Sequence, residues 1–196
     1  MNIKHYILIG FSLLAFMSCS ENDDAVEEFP DWKNKNEQYF LNAYQTHYPN
    51  NALKKFSLSE SATANYADYV LVDILESGDV SETASPYLND SVEVHYSGRL
   101  IPSTTYTAGY EFDKSYQEPF DEDTAVPSKF AVNGVVVGFG TALQKMHRGD
   151  CWRVTIPYQL GYGAADMTSS GIPAYSTLIF EIRLVDFWTK QRGDRE

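Results

Sequence analysis

Ser91-Val92-Glu93-Val94-His95-Tyr96-Ser97 alternates without a break, with Val92, Val94 and Tyr96 on one side and Glu93 and His95 on the other. Period-two alternation specifies a strand with one face in a core and the other turned away from it. His95 is accordingly expected to point outward as a surface residue. On either side of this stretch the pattern repeats. Residues 69–75 are apolar and β-rich and end before Gly78; residues 129–132 and 151–156 read as further strands. Residues 177–185 alternate again, placing Leu178, Phe180, Ile182 and Leu184 on one face. Residues 139–147 read as the one short helix among them, and Gly149-Asp150 fits a helix stop and turn. The resulting expectation is an α+β domain, an antiparallel sheet wrapped around one helix.

Before residue 68 the pattern is different. Trp32, Tyr39, Phe40, Ala43, Tyr44 and His47 recur at helical spacing, with Asp31 as the expected N-cap and Tyr48-Pro49 as the stop. This predicts one amphipathic helix. Its face of Trp32, Tyr39, Phe40 and Tyr44 must be covered, either by docking on the following domain, which is preferred, or by a second copy. Residues 20–29 read as a polar linker, and residues 50–67 are mixed with a short helical turn.

The chain of 196 residues is 43% hydrophobic and 14% aromatic, with fourteen tyrosines and eleven phenylalanines. That suits one ordinary domain plus an appendage, with aromatics to spare for a pocket. The formal charge is −12, and no basic stripe exists to neutralise phosphates, so nucleic acid is excluded as a partner. The four histidines are far apart in sequence and no CxxC pair exists, so no ligand spacing argues for a metal, and no cofactor is expected. Cys151 begins a strand and reads as an inert buried thiol; Trp152 and Trp188 read as packing residues.

Several stretches together resemble a known family. Val94-His95-Tyr96-Ser97-Gly98 resembles the VHYTG strand of FKBP-type peptidyl-prolyl isomerases, and Phe112-Asp113 their FD pair. Val135-Val136-Val137-Gly138-Phe139 is similar to V-I-x-G-W, followed by Ala142-Leu143 and Met146-His147-Arg148-Gly149. Ile156-Pro157-Tyr158-Gln159-Leu160-Gly161-Tyr162-Gly163 resembles IPPELAYG; Gly171-Ile172-Pro173 and Ser176-Thr177-Leu178-Ile179-Phe180-Glu181 resemble GIPPNSTLVFEV. The resemblance implies a half-barrel around a helix, with a hydrophobic pocket between them. Position by position, that pocket would contain Tyr96, Phe112, Asp113, Phe130, Val135, Val136, Phe139, Tyr162, Ile172 and Phe180. Phe139 stands where tryptophan is usual, Ser128 where a second phenylalanine is common, and residues 101–110 are longer than the usual connection.

The chemistry implied needs no nucleophile, metal or cofactor. Amide resonance sets a barrier of about 18–20 kcal/mol to rotation, and X-Pro bonds isomerise over roughly tens to hundreds of seconds. A dry aromatic bowl stabilises the charge-separated planar amide less than water does and so favours the twisted form. The resemblance implies that Tyr162 donates a hydrogen bond to a substrate carbonyl. The Ile172 N–H would hold a neighbouring carbonyl, and Asp113 would orient a polar group or interact with the distorted amide. The partners implied are proline-containing polypeptides and macrolide inhibitors of the family, the latter bound more weakly because Phe139 is smaller than tryptophan. Two rival functions use the same features. One is a binding module that holds a peptide without useful turnover; the other is an assembly lipoprotein with the isomerase domain as a spacer.

The first residues read as an address. Lys4 precedes an apolar run from Tyr6 to Met17, too short to span a bilayer, which needs about 20 residues. Phe16-Met17-Ser18-Cys19 resembles a lipobox, with Cys19 as the acylated residue. Ser20-Glu21-Asn22-Asp23-Asp24 resembles a surface-export signal and equally suits a solvated tether. The expected organisation is a signal peptide over 1–18, an acidic tether and helical segment over 19–67, the isomerase domain over 68–188 and a polar tail over 189–196. The lipid on Cys19 would anchor the protein in the cell envelope, at the outer membrane on its periplasmic or surface-exposed face.

Overall fold

The computed structural model describes residues 28–54, 65–78 and 81–189. Helix α1 (Trp32–His47) precedes strands β1 (Ala52–Lys54), β2 (Tyr69–Glu76), β3 (Asp90–Leu100), β4 (Glu111–Lys114) and β5 (Ser128–Ala131). Helix α2 (Val137–Leu143) then leads to β6 (Cys151–Ile156) and β7 (Leu178–Thr189). The seven strands form one antiparallel sheet in the order β1-β2-β6-β7-β3-β4, with β5 also on β3.

The free edge of β3 is shared. Its first half, Ser91 to Val94, pairs with β5, and Ser97 to Arg99 pair with β4. At the changeover Ser115 replaces a strand partner: its N–H donates to Tyr96 O at 2.9 Å, and Tyr96 N–H donates to its hydroxyl at 2.8 Å. The groups that would otherwise be orphaned are thus satisfied. The chain between β4 and β5 leaves the sheet here, and the gap admits a pocket.

The apolar face of the sheet carries Val70, Val72, Val92, Val94, Val154, Ile156, Leu178, Ile182 and Leu184, all buried. Helix α2 lies on that face with Phe139, Ala142 and Leu143 buried among them. It approaches closely because residue 138 is glycine: a Cβ there would come within 2.3 Å of Ile156 Cγ2.

Helix α1 runs along the other side, where the His47 ring meets the Asp73 carboxylate at 3.0 Å. It docks on the sheet through Trp32, Asn36 and Phe40, spaced i, i+4, i+8, all buried. Tyr44 packs against Tyr69 at 5.5 Å, while Tyr39 is exposed. Asp31 occupies the N-cap position in a left-handed conformation (φ 53°) without capping the helix; its carboxylate accepts from the Asn34 amide instead. The division expected at residue 67 falls inside one packed body, since β1 joins the sheet and Trp32 joins its core.

His95 does not sit on the surface. It faces away from the core, as the alternation requires, but that face is roofed: the Phe120 ring lies 5.1 Å from the imidazole, and His95 is 3% exposed. Cys151 is buried, and burial pushes its thiol up, which suits an inert residue. Trp152 is packed in the core, whereas Trp188 is exposed, with the Lys129 ammonium 5.6 Å from its ring. The segment expected to be a signal peptide, Cys19 and the acidic residues just after it lie outside the described residues.

Candidate active site

Where β3 changes partner, a cavity of about 240 Å³ opens, lined by Tyr96, Phe112, Asp113, Phe130, Gly134, Val135, Val136, Phe139, Tyr162 and Phe180. Six segments supply them. Tyr96 comes from β3, Phe112 and Asp113 from β4, and Phe130 from β5. The turn Val132–Gly134 and the entry to α2 bring Val135, Val136 and Phe139. Tyr162 stands on the segment between β6 and β7, and Phe180 on β7.

Phe180 is the hub of the floor. Its ring meets Phe139 at 5.0 Å, Phe112 at 5.5 Å and Tyr96 at 6.3 Å, the first two nearly perpendicular. Tyr96 also meets Phe130 at 5.7 Å and Phe139 at 6.2 Å. Edge-to-face contacts lock such rings against one another, so the bowl is formed before any ligand arrives.

The polar groups sit at its rim. Tyr96 Oη donates to Asp113 Oδ2 at 2.6 Å. Burial first, then this bond and the carboxylate's charge, push the Tyr96 phenol well above the ordinary tyrosine value. Tyr162 is 39% exposed, and its hydroxyl has no hydrogen-bond partner among the described residues. Burial and then the charge of Asp113 push its phenol up as well. At neutral pH it therefore stays a neutral donor, unpaired and facing a cavity. Among the described residues no group of three or more His, Cys, Asp or Glu is placed to hold a metal.

Nine of the ten residues expected in the pocket line it. Ile172 does not: its side chain is 3% exposed in the core, and its N–H donates to Met167 O at 3.2 Å in a short antiparallel bridge. The backbone donor expected for a substrate carbonyl is already engaged. Two glycines were missed. Gly134 lines the cavity from a 3-10 turn that periodicity does not reveal. Gly98 lies under the floor: a Cβ there would come within 2.6 Å of the Phe112 ring and 2.7 Å of Phe180. A glycine inside a strand is itself the signal for such close approach.

The fold and site define a class: a half-barrel sheet on one helix, with a preformed aromatic pocket and a phenol donor at its edge. The chain belongs to the FKBP-type peptidyl-prolyl cis-trans isomerase family, whose model matches residues 82–185. It is 40% identical over 105 residues to the FKBP-type 22 kDa peptidyl-prolyl cis-trans isomerase of Escherichia coli, covering 54% of this chain and 45% of that protein. It is 39% identical over 111 residues to the macrophage infectivity potentiator of Trypanosoma cruzi, covering 56% and 49%. The chain thus spans less than half the length of these curated relatives. Among solved structures, the peptidyl-prolyl cis-trans isomerase of Pseudomonas syringae pv. tomato superposes with a TM-score of 0.53 at 26% identity, covering 79% of this chain and 95% of that one.

Proposed function

We propose that this chain is a peptidyl-prolyl cis-trans isomerase acting on proline-containing polypeptides of the cell envelope. The observation that carries this is the preformed aromatic bowl with an unpaired Tyr162 hydroxyl at its rim. The bowl takes the proline ring and strips water from the amide, which weakens the charge-separated planar form. Tyr162 donates to a substrate carbonyl and fixes the peptide's orientation. Asp113, held by the Tyr96 hydroxyl, sets the field at the pocket edge. No proton is transferred, so neither group acts as a general acid.

The test is a protease-coupled proline isomerisation assay on the full chain. Turnover is expected without added cofactor and unchanged by EDTA. Asp113→Ala and Tyr162→Phe are expected to lower it about tenfold, the weight of one or two lost hydrogen bonds, with unfolding midpoints near wild type. Full activity in both variants would refute the site assignment.

Macrolide inhibitors of the family fit the same bowl, bound weakly because phenylalanine, not tryptophan, forms its base at residue 139. The run from Tyr6 to Met17 and the Ser18-Cys19 junction support lipid anchoring at Cys19. Among the described residues no helix is long and apolar enough to cross a membrane. Cys19→Ala is expected to move the protein from the membrane fraction to the soluble one; unchanged partitioning would exclude the anchor.

A further inference from the structure

Helix α1 lies outside the matched family segment, yet it reaches the active-site loop. Thr177 N–H donates to Asn36 Oδ1 at 2.7 Å, and Asn36 Nδ2 donates back to Trp32 O at 2.7 Å. Asn36 is 0% exposed. Trp32 Nε1 donates to Ser176 Oγ at 2.8 Å. From the same helix, Glu37 Oε1 accepts from the Tyr158 hydroxyl at 3.3 Å, and the Lys33 ammonium lies 4.9 Å from the centre of the Tyr175 ring. Tyr158 and Tyr175 pack edge to face at 5.2 Å. Four residues of one helix therefore grip both ends of the segment between β6 and β7.

Tyr162 stands inside that segment. The N–H groups of Gly161 and Gly163 donate to Tyr158 O at 3.0 and 2.9 Å, and Tyr175 N–H donates to Gly163 O at 2.9 Å. The turn that presents Tyr162 is thus closed against the two residues the helix holds. Tyr175 has φ 64°, a left-handed conformation that a tyrosine keeps only where its surroundings enforce it. Its surroundings are Lys33, Tyr158 and Gly163.

We propose that α1 is a clamp on the active-site loop, with Asn36 and Trp32 as positioning residues that fix the Tyr162 hydroxyl. This rests on the isomerase reading for the role of Tyr162. A donor on a free loop must be ordered when substrate binds, whereas a clamped donor has met that cost in folding. Asparagine suits its place because the amide supplies an acceptor to Thr177 and a donor to Trp32 at once, which neither aspartate nor leucine can do.

The test is a double-mutant cycle on the full chain with a proline peptide. Asn36→Ala and Trp32→Phe are expected to lower kcat about three- to tenfold with KM unchanged, because the aromatic floor is untouched. In a Tyr162→Phe background the same substitutions are expected to change kcat less than about twofold. Gln45→Ala, on the exposed side of the helix, keeps wild-type turnover. Equal losses with and without the Tyr162 hydroxyl would overturn the proposal in favour of a merely structural helix. If Asn36→Ala does not fold, Trp32→Phe carries the cycle, since it keeps a buried aromatic ring, though a smaller one, and removes the N–H that Ser176 Oγ accepts.

Hydrogen exchange reads the clamp without reference to activity. In Trp32→Phe the amides of Gly163 and Tyr175 are expected to exchange about tenfold faster, while Val154 and Ile182 keep wild-type rates. Unchanged protection at Gly163 and Tyr175 overturns the clamp, whatever the turnover. Faster exchange there in a protein that never turns over peptide supports the clamp and overturns the isomerase reading alone.

Discussion

Gly98 has no side chain because Phe112 and Phe180 occupy the space where one would stand. Gly98→Ala would push the two rings apart, with Phe112 directly before Asp113. Overpacking of this kind costs about 1–3 kcal/mol, so the denaturant midpoint is expected to fall accordingly. Turnover should fall further than stability alone explains, since the bowl loses its edge-to-face order; wild-type turnover with a lowered midpoint would show that the floor adapts. The aromatic lining was legible because strand alternation places Tyr96 and Phe180 inward and because Phe112-Asp113 forms part of a recognisable set. Ile172 was misread because its motif locates the residue without showing that its N–H is already bonded to Met167. Gly134 left no trace in periodicity, since a 3-10 turn of three residues is too short to repeat.

Among the elements, the pattern found β3 and β7 by alternation, and β2 and β6 as apolar, β-rich runs. It missed β1 and β4, of three and four residues, whose pairing is imposed by neighbours. It also could not show that the chain after β4 folds back over His95, because a roof over the outer face leaves the alternation unchanged. In α1 the helix was legible but its buried face was only partly so. Apolar periodicity included Tyr39, which is exposed, and passed over Asn36, whose burial depends on a backbone partner more than a hundred residues away. Phe40, 1% exposed, is the deepest apolar anchor of this helix. Phe40→Ala is expected to cost about 3–5 kcal/mol, read by urea denaturation. A cost under about 1 kcal/mol would mean that α1 docks without contributing to the stability of the sheet.

Across the whole molecule, pH acts on two opposed effects. The chain carries a formal charge of −12, so mild acidification relieves self-repulsion. His95 works against that. Burial lowers its pKa, with Arg183 lowering it further and Glu122 partly opposing. The groups around it are Arg183 of β7, the Phe120 ring and Glu122 of the segment after β4, and Cys151 and Glu181 across the neighbouring strands. Its Nδ1 is buried without a hydrogen-bond partner, so a proton on the ring gains nothing there. Because the folded pKa lies below the unfolded value of about 6.5, the unfolded chain takes up the proton first. Stability from His95 is therefore complete above about pH 6.5 and is lost as pH falls below it, with a slope of at most about 1.4 kcal/mol per pH unit for one proton. The charged carboxylates respond later. Asp186, held low by Arg148, and Glu76, held low by Arg183, lose their contribution only below the ordinary carboxylate range. The two stages separate experimentally by comparing the wild type with His95→Leu, because the charge-repulsion effect is common to both and cancels. Measured by urea unfolding between pH 7 and 5, the wild type is expected to lose stability relative to the variant, and the gap should stop widening once His95 is protonated in the fold. A difference independent of pH across that range would mean that the histidine is already solvated, with Phe120 lifted from it.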